Sequence, residues 1–282
     1  MSIELILLMR CPDRPGILTR ASRAVSERGG DIRDAVSFGD DVSKTFFIRL
    51  HVVVPSDEEV ASLRVELDAM ASDMALEWEL HDLSYRPRII LAVSKPDHCL
   101  LDLLHRWKRG TLRVDIPAVV SNHNDHRGIV EWYGIPYFHF PADKKDKRRQ
   151  ETKILELVNE REIDLVVLAR YMQILSPWLC EQLAGRCINI HHSFLPSFKG
   201  AKPYHQAHDR GVKIIGATAH YVTTDLDEGP IIEQDVRRVS HATSAAQMVT
   251  MGREVEASVL ARAIHAHVEY RVQMNGVRTV VF

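Results

Sequence analysis

With 282 residues, the chain has room for two domains of ordinary size. Hydrophobic residues make up 45% and charged residues 26%, a balance that excludes a disordered chain. The 36 Lys and Arg nearly match the 38 Asp and Glu, for a net charge of -2. That weighs against a nucleic-acid binder, and no apolar run reaches the ~20 residues that span a bilayer. The opening MSIELILLMRCPDRPG lacks the basic stretch and small-residue cleavage site of a signal peptide. Cys11, Cys99, Cys180 and Cys187 form no CxxC pair, so they read as reduced core thiols of a cytoplasmic protein.

Residues 3–11 are an apolar strand, and Pro15-Gly16 marks the turn after it. Residues 18–28 form a helix with Leu18, Ala21 and Val25 on one face, stopped by Gly29-Gly30. Strands follow at 31–38 and 44–54, the second alternating through Phe46, Ile48, Leu50 and Val52. A helix at 58–74 turns Val60, Leu63, Leu67 and Met70 inward, and a strand at 76–83 closes the set. The order βαββαβ predicts a ferredoxin-like domain over residues 1–85.

Residues 84–88 read as a linker, with Pro87 opposing a helix there. The second domain, residues 86–282, alternates. Strands at 88–94, 114–121, 137–140, 164–169 and 187–191 are separated by helices at 97–109, 127–133, 143–162 and 176–184. The alternation predicts a doubly wound, mostly parallel α/β sheet, with its ligand site at the carboxyl ends of the strands. Strands at 212–223 and 230–239, a helix at 243–275 and a strand at 277–282 complete the chain. The DKKDKRR run from Asp143 is a solvated helix start, because Asp143 and Asp146 interrupt its basic charge.

Several chemistries lack their signature. There is no GxG, no GxxxxGK[ST], no HExxH and no GxSxG. His123-x-x-His126 and His205-x-x-His208 offer paired imidazoles without a third ligand at a familiar spacing, so no metal site is expected.

The densest polar signal is CINIHHSFLPSFKG, residues 187–200. A strand there points Asn189 and His191 to one face. An amide beside an imidazole can hold a developing oxyanion, or simply form a polar pair bonded to its own loop. Next comes AHYVTTDLDEGPII, with Asp225 and Asp227 in a loop before Gly229-Pro230. Such a carboxylate can serve as a general base or support an imidazolium, and can equally be a solvated turn. Third, ARYMQILSPW follows the apolar strand at 164–169. Its Met, Ile and Leu can line an apolar pocket, while Ser176 and Pro177 start a helix.

These pieces resemble two families. Cys11-Pro12-Asp13-Arg14-Pro15-Gly16-Ile17, with Gly30-Asp31-Ile32, is similar to an ACT domain. That likeness implies pairing between subunits into a homo-oligomer, with or without a small ligand. Asp13, Gly16 and Ile17 are the candidate effector site, because backbone amides at a helix start suit a small carboxylate. Glycine and methionine are the expected effectors. Residues 86–282 resemble the formyltetrahydrofolate-using formyltransferases and hydrolases, through Asn189-x-His191-x-Ser193-x-Leu195-Pro196 and Asp227-Glu228-Gly229. The resemblance implies that Asn189, His191 and Asp227 are catalytic and that Met172, Gln173, Ile174 and Leu175 grip the pterin ring. Thr223, Asp225 and Leu226 join them as substrate-binding candidates.

Members that formylate glycinamide ribonucleotide carry a glycine-rich phosphate loop after the first strand. Here that place reads Ser94-Lys95-Pro96-Asp97-His98-Cys99, with no glycine. That loop, the ACT likeness and His192 after His191 resemble the hydrolase branch. The expected reaction is 10-formyltetrahydrofolate and water giving tetrahydrofolate and formate. Asp227 would orient or deprotonate the water, while Asn189 and protonated His191 stabilise the oxyanion. Folate is substrate, so no cofactor, nucleic-acid partner or membrane is expected. The rival expectations are transfer of the formyl group to an amine, and a folate-sensing regulator without turnover.

Overall fold

The computed structural model describes residues 2–143, 146–195 and 203–282, and the chain divides into two compact units. Lys144 and Lys145 of the DKKDKRR run, and Pro196 and Gly200 of the 187–200 segment, lie outside the described residues.

Unit 1 begins β1(Ile3–Pro12), α1(Ile17–Ser26), β2(Asp31–Asp40), β3(Thr45–Val54), α2(Asp57–Met74), β4(Glu77–Asp82). The strands form one antiparallel sheet in the order β2-β3-β1-β4. Alternation in β1 and β3 sends Leu5, Leu7, Met9, Ile48, Leu50 and Val52 into a core closed by Leu63, Leu67 and Met70 of α2. Ser56 caps α2, accepting from the Glu59 amide, and Asp57, Glu58 and Glu59 sit at its positive end. Leu18 is not on the buried face of α1 but 40% exposed. The helix starts one residue earlier than expected, and Ile17, Ala21, Ala24 and Val25 form its buried stripe.

The carboxyl end of the chain departs from expectation. The last helix stops at Val268, and the residues predicted to continue it to 275 form a strand. Tyr270 takes a left-handed conformation, and β12(Val272–Asn275) pairs with β13(Arg278–Val281) across a turn containing Gly276. Asn275-Gly276 is a hairpin signal that the preceding run of helix formers outweighed. Residues 269–275 and 279–282 belong to unit 1, so the second domain does not run unbroken from 86 to 282. Gln273 donates to the Ile48 carbonyl at 2.9 Å, Asn275 to Asp40 at 2.8 Å, and Arg10 to the Met274 carbonyl at 3.2 Å. The Arg49 guanidinium donates to the Tyr270 carbonyl at 3.1 Å. The rings of His81 and Tyr270 stack with centroids 3.8 Å apart. Deleting residues 269–282 is expected to destabilise unit 1 by about 2–4 kcal/mol, since each such bond contributes ~0.5–1.5 kcal/mol net. Thermal unfolding would read this as an earlier transition, and an unchanged one would refute the contribution.

Unit 2 supplies the remaining elements: β5(Arg88–Val93), α3(His98–Lys108), β6(Asp115–Ser121), α4(Arg127–Trp132), β7(Tyr137–His139), α5(Lys147–Glu160), β8(Leu165–Leu168), α6(Pro177–Gln182), β9(Cys187–His191), α7(Pro203–Asp209), β10(Ile214–Tyr221), β11(Ile231–Arg238), α8(Ala245–Val268). They build a seven-stranded sheet in the order β11-β10-β9-β8-β5-β6-β7. The strands from β7 to β9 are parallel, and β10 runs antiparallel to β9 and β11. Ile89 to Val93 and Leu165 to Leu168 are all buried, as expected of central strands covered on both faces. From β5 the chain winds first towards β6 and then back to β8, so the topological switch lies between β5 and β8. A reciprocal pair of bonds between Ser244 and Gln247 opens α8. The helix α7 was not anticipated. Among the described residues no helix is long and apolar enough to cross a membrane.

Candidate active site

Strand β9 ends at the carboxyl edge of the sheet with Asn189, Ile190 and His191. Antiparallel pairing with β10 sets His220 directly opposite Asn189. The Nδ1 of His220 lies 2.9 Å from the Tyr221 carbonyl, which can only accept, so that nitrogen carries the proton. Its Nε2 then accepts the Asn189 amide at 3.3 Å. Asp227 arrives from the loop between β10 and β11, in a left-handed conformation. Its Oδ1 is 3.2 Å from Nδ1 of His191 and 3.8 Å from Nε2 of His220. The three candidates are thus linked, with His220 as an unforeseen fourth member. Nothing in the sequence singles out His220, because its place depends on the β9–β10 register.

Burial alone would raise the Asp227 carboxyl, but the His191 and His220 imidazoles beside it, His191 foremost, hold it well below the ordinary carboxylate range. It is therefore an ionised group facing imidazoles. The Nε2 of His191 is buried and has no hydrogen-bond partner among the described residues, so it remains for whatever enters the site. Gly229 cannot be anything larger. A Cβ there would lie 1.7 Å from the Tyr221 carbonyl oxygen, where β10 turns into the Asp227 loop.

Around this centre lies a cleft of about 370 Å³. It is lined by Asn189, His191 and Asp227, and by all seven substrate-binding candidates: Met172, Gln173, Ile174, Leu175, Thr223, Asp225 and Leu226. Met172, Ile174 and Leu226 are each more than half exposed, forming apolar lips on opposite loops. The 170–175 loop is pinned from β5. The Ser94 amide donates to the Arg170 carbonyl at 3.1 Å, and the Ser94 hydroxyl takes the Met172 amide at 2.9 Å. Ser94 in turn donates to Asn122 at 2.6 Å. Ser176 also caps α6, with Pro177 in its first turn, so pocket wall and helix start coexist in ARYMQILSPW.

Behind the cleft sits a second buried group. Glu256 of α8, 2% exposed, bonds His98 at 2.8 Å, accepts from the Tyr204 hydroxyl at 2.7 Å, and forms an ion pair with the Arg170 guanidinium at 3.2 Å. Burial pushes the neighbouring Cys99 thiol well above its ordinary value. His98, Cys99 and Glu256 lie close enough to share a metal ion. The donor set is a poor match: the carboxylate is already taken by a guanidinium, and the thiol resists ionisation. Of the histidine pairs noted in the sequence, His126 lies 3.0 Å from the Ser94 carbonyl and 3.1 Å from the Lys95 carbonyl.

The effector candidates lie in unit 1. Gly16 takes a left-handed conformation before α1, and Ile17 is buried in the core, so only its backbone could meet a ligand. Asp13 does not offer a free amide as expected, because that amide donates to the Lys44 carbonyl at 2.8 Å.

Residues 87–264 match the formyl transferase family and residues 5–67 the ACT domain. The formyltetrahydrofolate deformylase of Synechocystis sp. is 46% identical over 280 residues, covering 98% of this chain and 97% of that protein. The chain belongs to the formyltetrahydrofolate deformylase family. A solved deformylase structure from Burkholderia mallei has a TM-score of 0.94 at 48% identity, covering 99% of each chain. The glycinamide ribonucleotide transformylase 1 of Symbiobacterium toebii has a TM-score of 0.66 at 27% identity, covering 72% of this chain and 98% of that one. Deformylases therefore share the whole length of the chain, and the transformylase shares only part.

Proposed function

We propose that this chain hydrolyses 10-formyltetrahydrofolate to tetrahydrofolate and formate. The observation that carries the reading is the linked Asn189, His191 and Asp227 set in a cleft with apolar lips. Met172, Ile174, Leu175 and Leu226 would hold the flat pterin, with Gln173, Thr223 and Asp225 supplying polar contacts. Attack of water on the formyl carbon builds negative charge on its oxygen. The Asn189 amide and Nε2 of His191 would donate to that oxygen, and the Asp227 carboxylate would stabilise the charged imidazole. The carbon–nitrogen bond then breaks as N10 takes a proton. A formyl group on N10 is already activated, so the reading calls for no cofactor.

The ACT unit would pair subunits and take a small amino acid such as glycine or methionine, in a cytoplasmic enzyme. The test of the central claim is purified protein with 10-formyltetrahydrofolate and no amine. Formate and tetrahydrofolate should appear in equal amounts. Turnover that begins only on adding an amine acceptor would replace hydrolysis by transfer.

A further inference from the structure

The Asp227 carboxylate already accepts from His191 and faces His220. The Nε2 of His220 is occupied by Asn189. Asp225, also in the cleft wall, is exposed to solvent. Water attacking a formyl carbon needs an acceptor for its proton, and these groups are either engaged with one another or turned to solvent.

His192 lines the same cleft and plays no part in the mechanism above. Its ring centroid lies 5.0 Å from that of His191 and 6.4 Å from that of Tyr204. Among the described residues, none forms a hydrogen bond to either nitrogen of its ring. We propose that His192 is a further catalytic residue, whose ring nitrogen takes the hydrogen bond, and then the proton, of the attacking water. The inference rests on the hydrolytic reading of this site.

The surroundings keep that ring uncharged and ready to accept. Burial comes first, and the charges of Arg170 and His191 act the same way. Against them stand Glu256 and Asp227, and the net result is a value lowered to about 4. At neutral pH the ring therefore keeps its lone pair. This gives the buried Glu256 cluster a purpose. Glu256 pairs with the Arg170 cation and accepts the Tyr204 hydroxyl, so one carboxylate holds two groups that lie near the His192 ring. Tyr204 is held tightly as well, for a Cβ at Gly252 would lie within 2.1 Å of its ring.

The balance is simple. As the water oxygen bonds to the formyl carbon, one water proton passes to His192. N10 gains one proton as the carbon–nitrogen bond breaks, which equals the one His192 accepted. The formic acid released loses its remaining proton to solvent.

The test begins with the wild-type protein and 10-formyltetrahydrofolate alone. Absence of formate there would fail the hydrolytic reading itself, before His192 enters. Given formate, His192→Ala should lower kcat by about 10²–10⁴-fold with KM changed less than about threefold. Added imidazole should restore part of the rate to His192→Ala and none to Asp227→Asn. His192→Gln, judged by the same measures, serves if the alanine variant does not fold. Turnover kept above about a third of wild type would overturn the proposal. So would a loss that comes with weakened folate binding and no imidazole rescue, which would assign His192 to packing.

Discussion

Asp227→Asn is expected to lower formate release by about 10²–10⁴-fold while a bound folate analogue keeps nearly its wild-type affinity. The amide matches the carboxylate in size, so the cleft keeps its shape. What it loses is the charge. His191 at 3.2 Å and His220 at 3.8 Å face that carboxylate from two strands, and the half-buried setting weakens solvent screening. The charged His191 imidazole that donates to the developing oxyanion would face a neutral amide instead. The measurement pairs kcat for formate with titration of a non-hydrolysable folate. Retention of more than a tenth of wild-type turnover would show that the charge on Asp227 is not needed.

Gly229→Ala should come close to the same loss without touching an ionisable group. The added methyl would meet the Tyr221 carbonyl oxygen at 1.7 Å and its carbon at 2.9 Å, with His220 Nδ1 at 3.2 Å. The backbone cannot easily yield, because the Tyr221 amide is bonded to the Pro230 carbonyl at 2.9 Å. Relief must come by tilting the loop that carries Asp227, or by breaking the His220 bond to Tyr221. Either shifts the carboxylate, and ~1 Å of misplacement can cost about 10² in rate. Overpacking of this kind also destabilises by about 1–3 kcal/mol. Gly128→Ala is the control, since nothing lies within 4 Å of a methyl group there and its backbone is ordinary. Kinetics and thermal unfolding on the pair decide the matter. A Gly229→Ala protein within tenfold of wild type would mean that the loop absorbs the clash harmlessly.

Local patterns carried most of the fold. The alternation in residues 44–54 and the apolar run at 164–169 locate β3 and β8, because period and burial are properties of neighbouring residues. The place of Asn189 and His191 on one face followed from the two-residue period of a strand. Their chemical roles came through family likeness rather than spacing. His220 stayed hidden because it acts only through its partner across β9 and β10. The cluster of His98, Arg170, Tyr204 and Glu256 was equally out of reach, since His98 and Glu256 are 158 positions apart. A buried acid among Val255, Val259 and Leu260 was its one visible trace. The strand at 272–275 failed for the opposite reason: helix-favouring neighbours looked decisive, whereas Gln273 finds its partner in β3.

That last contact also bears on how the protein is born. Gln273 reaches Ile48 across 225 positions of sequence. On the ribosome, unit 1 emerges first and yet cannot finish its hydrogen bonding until residue 275 has been made. The cleft of unit 2 needs nothing beyond Val268. So the half translated first is completed last, and its loose interval lasts nearly the whole of synthesis. Closing so long a loop in an unfolded chain carries an entropic cost, though one that grows only slowly with loop length.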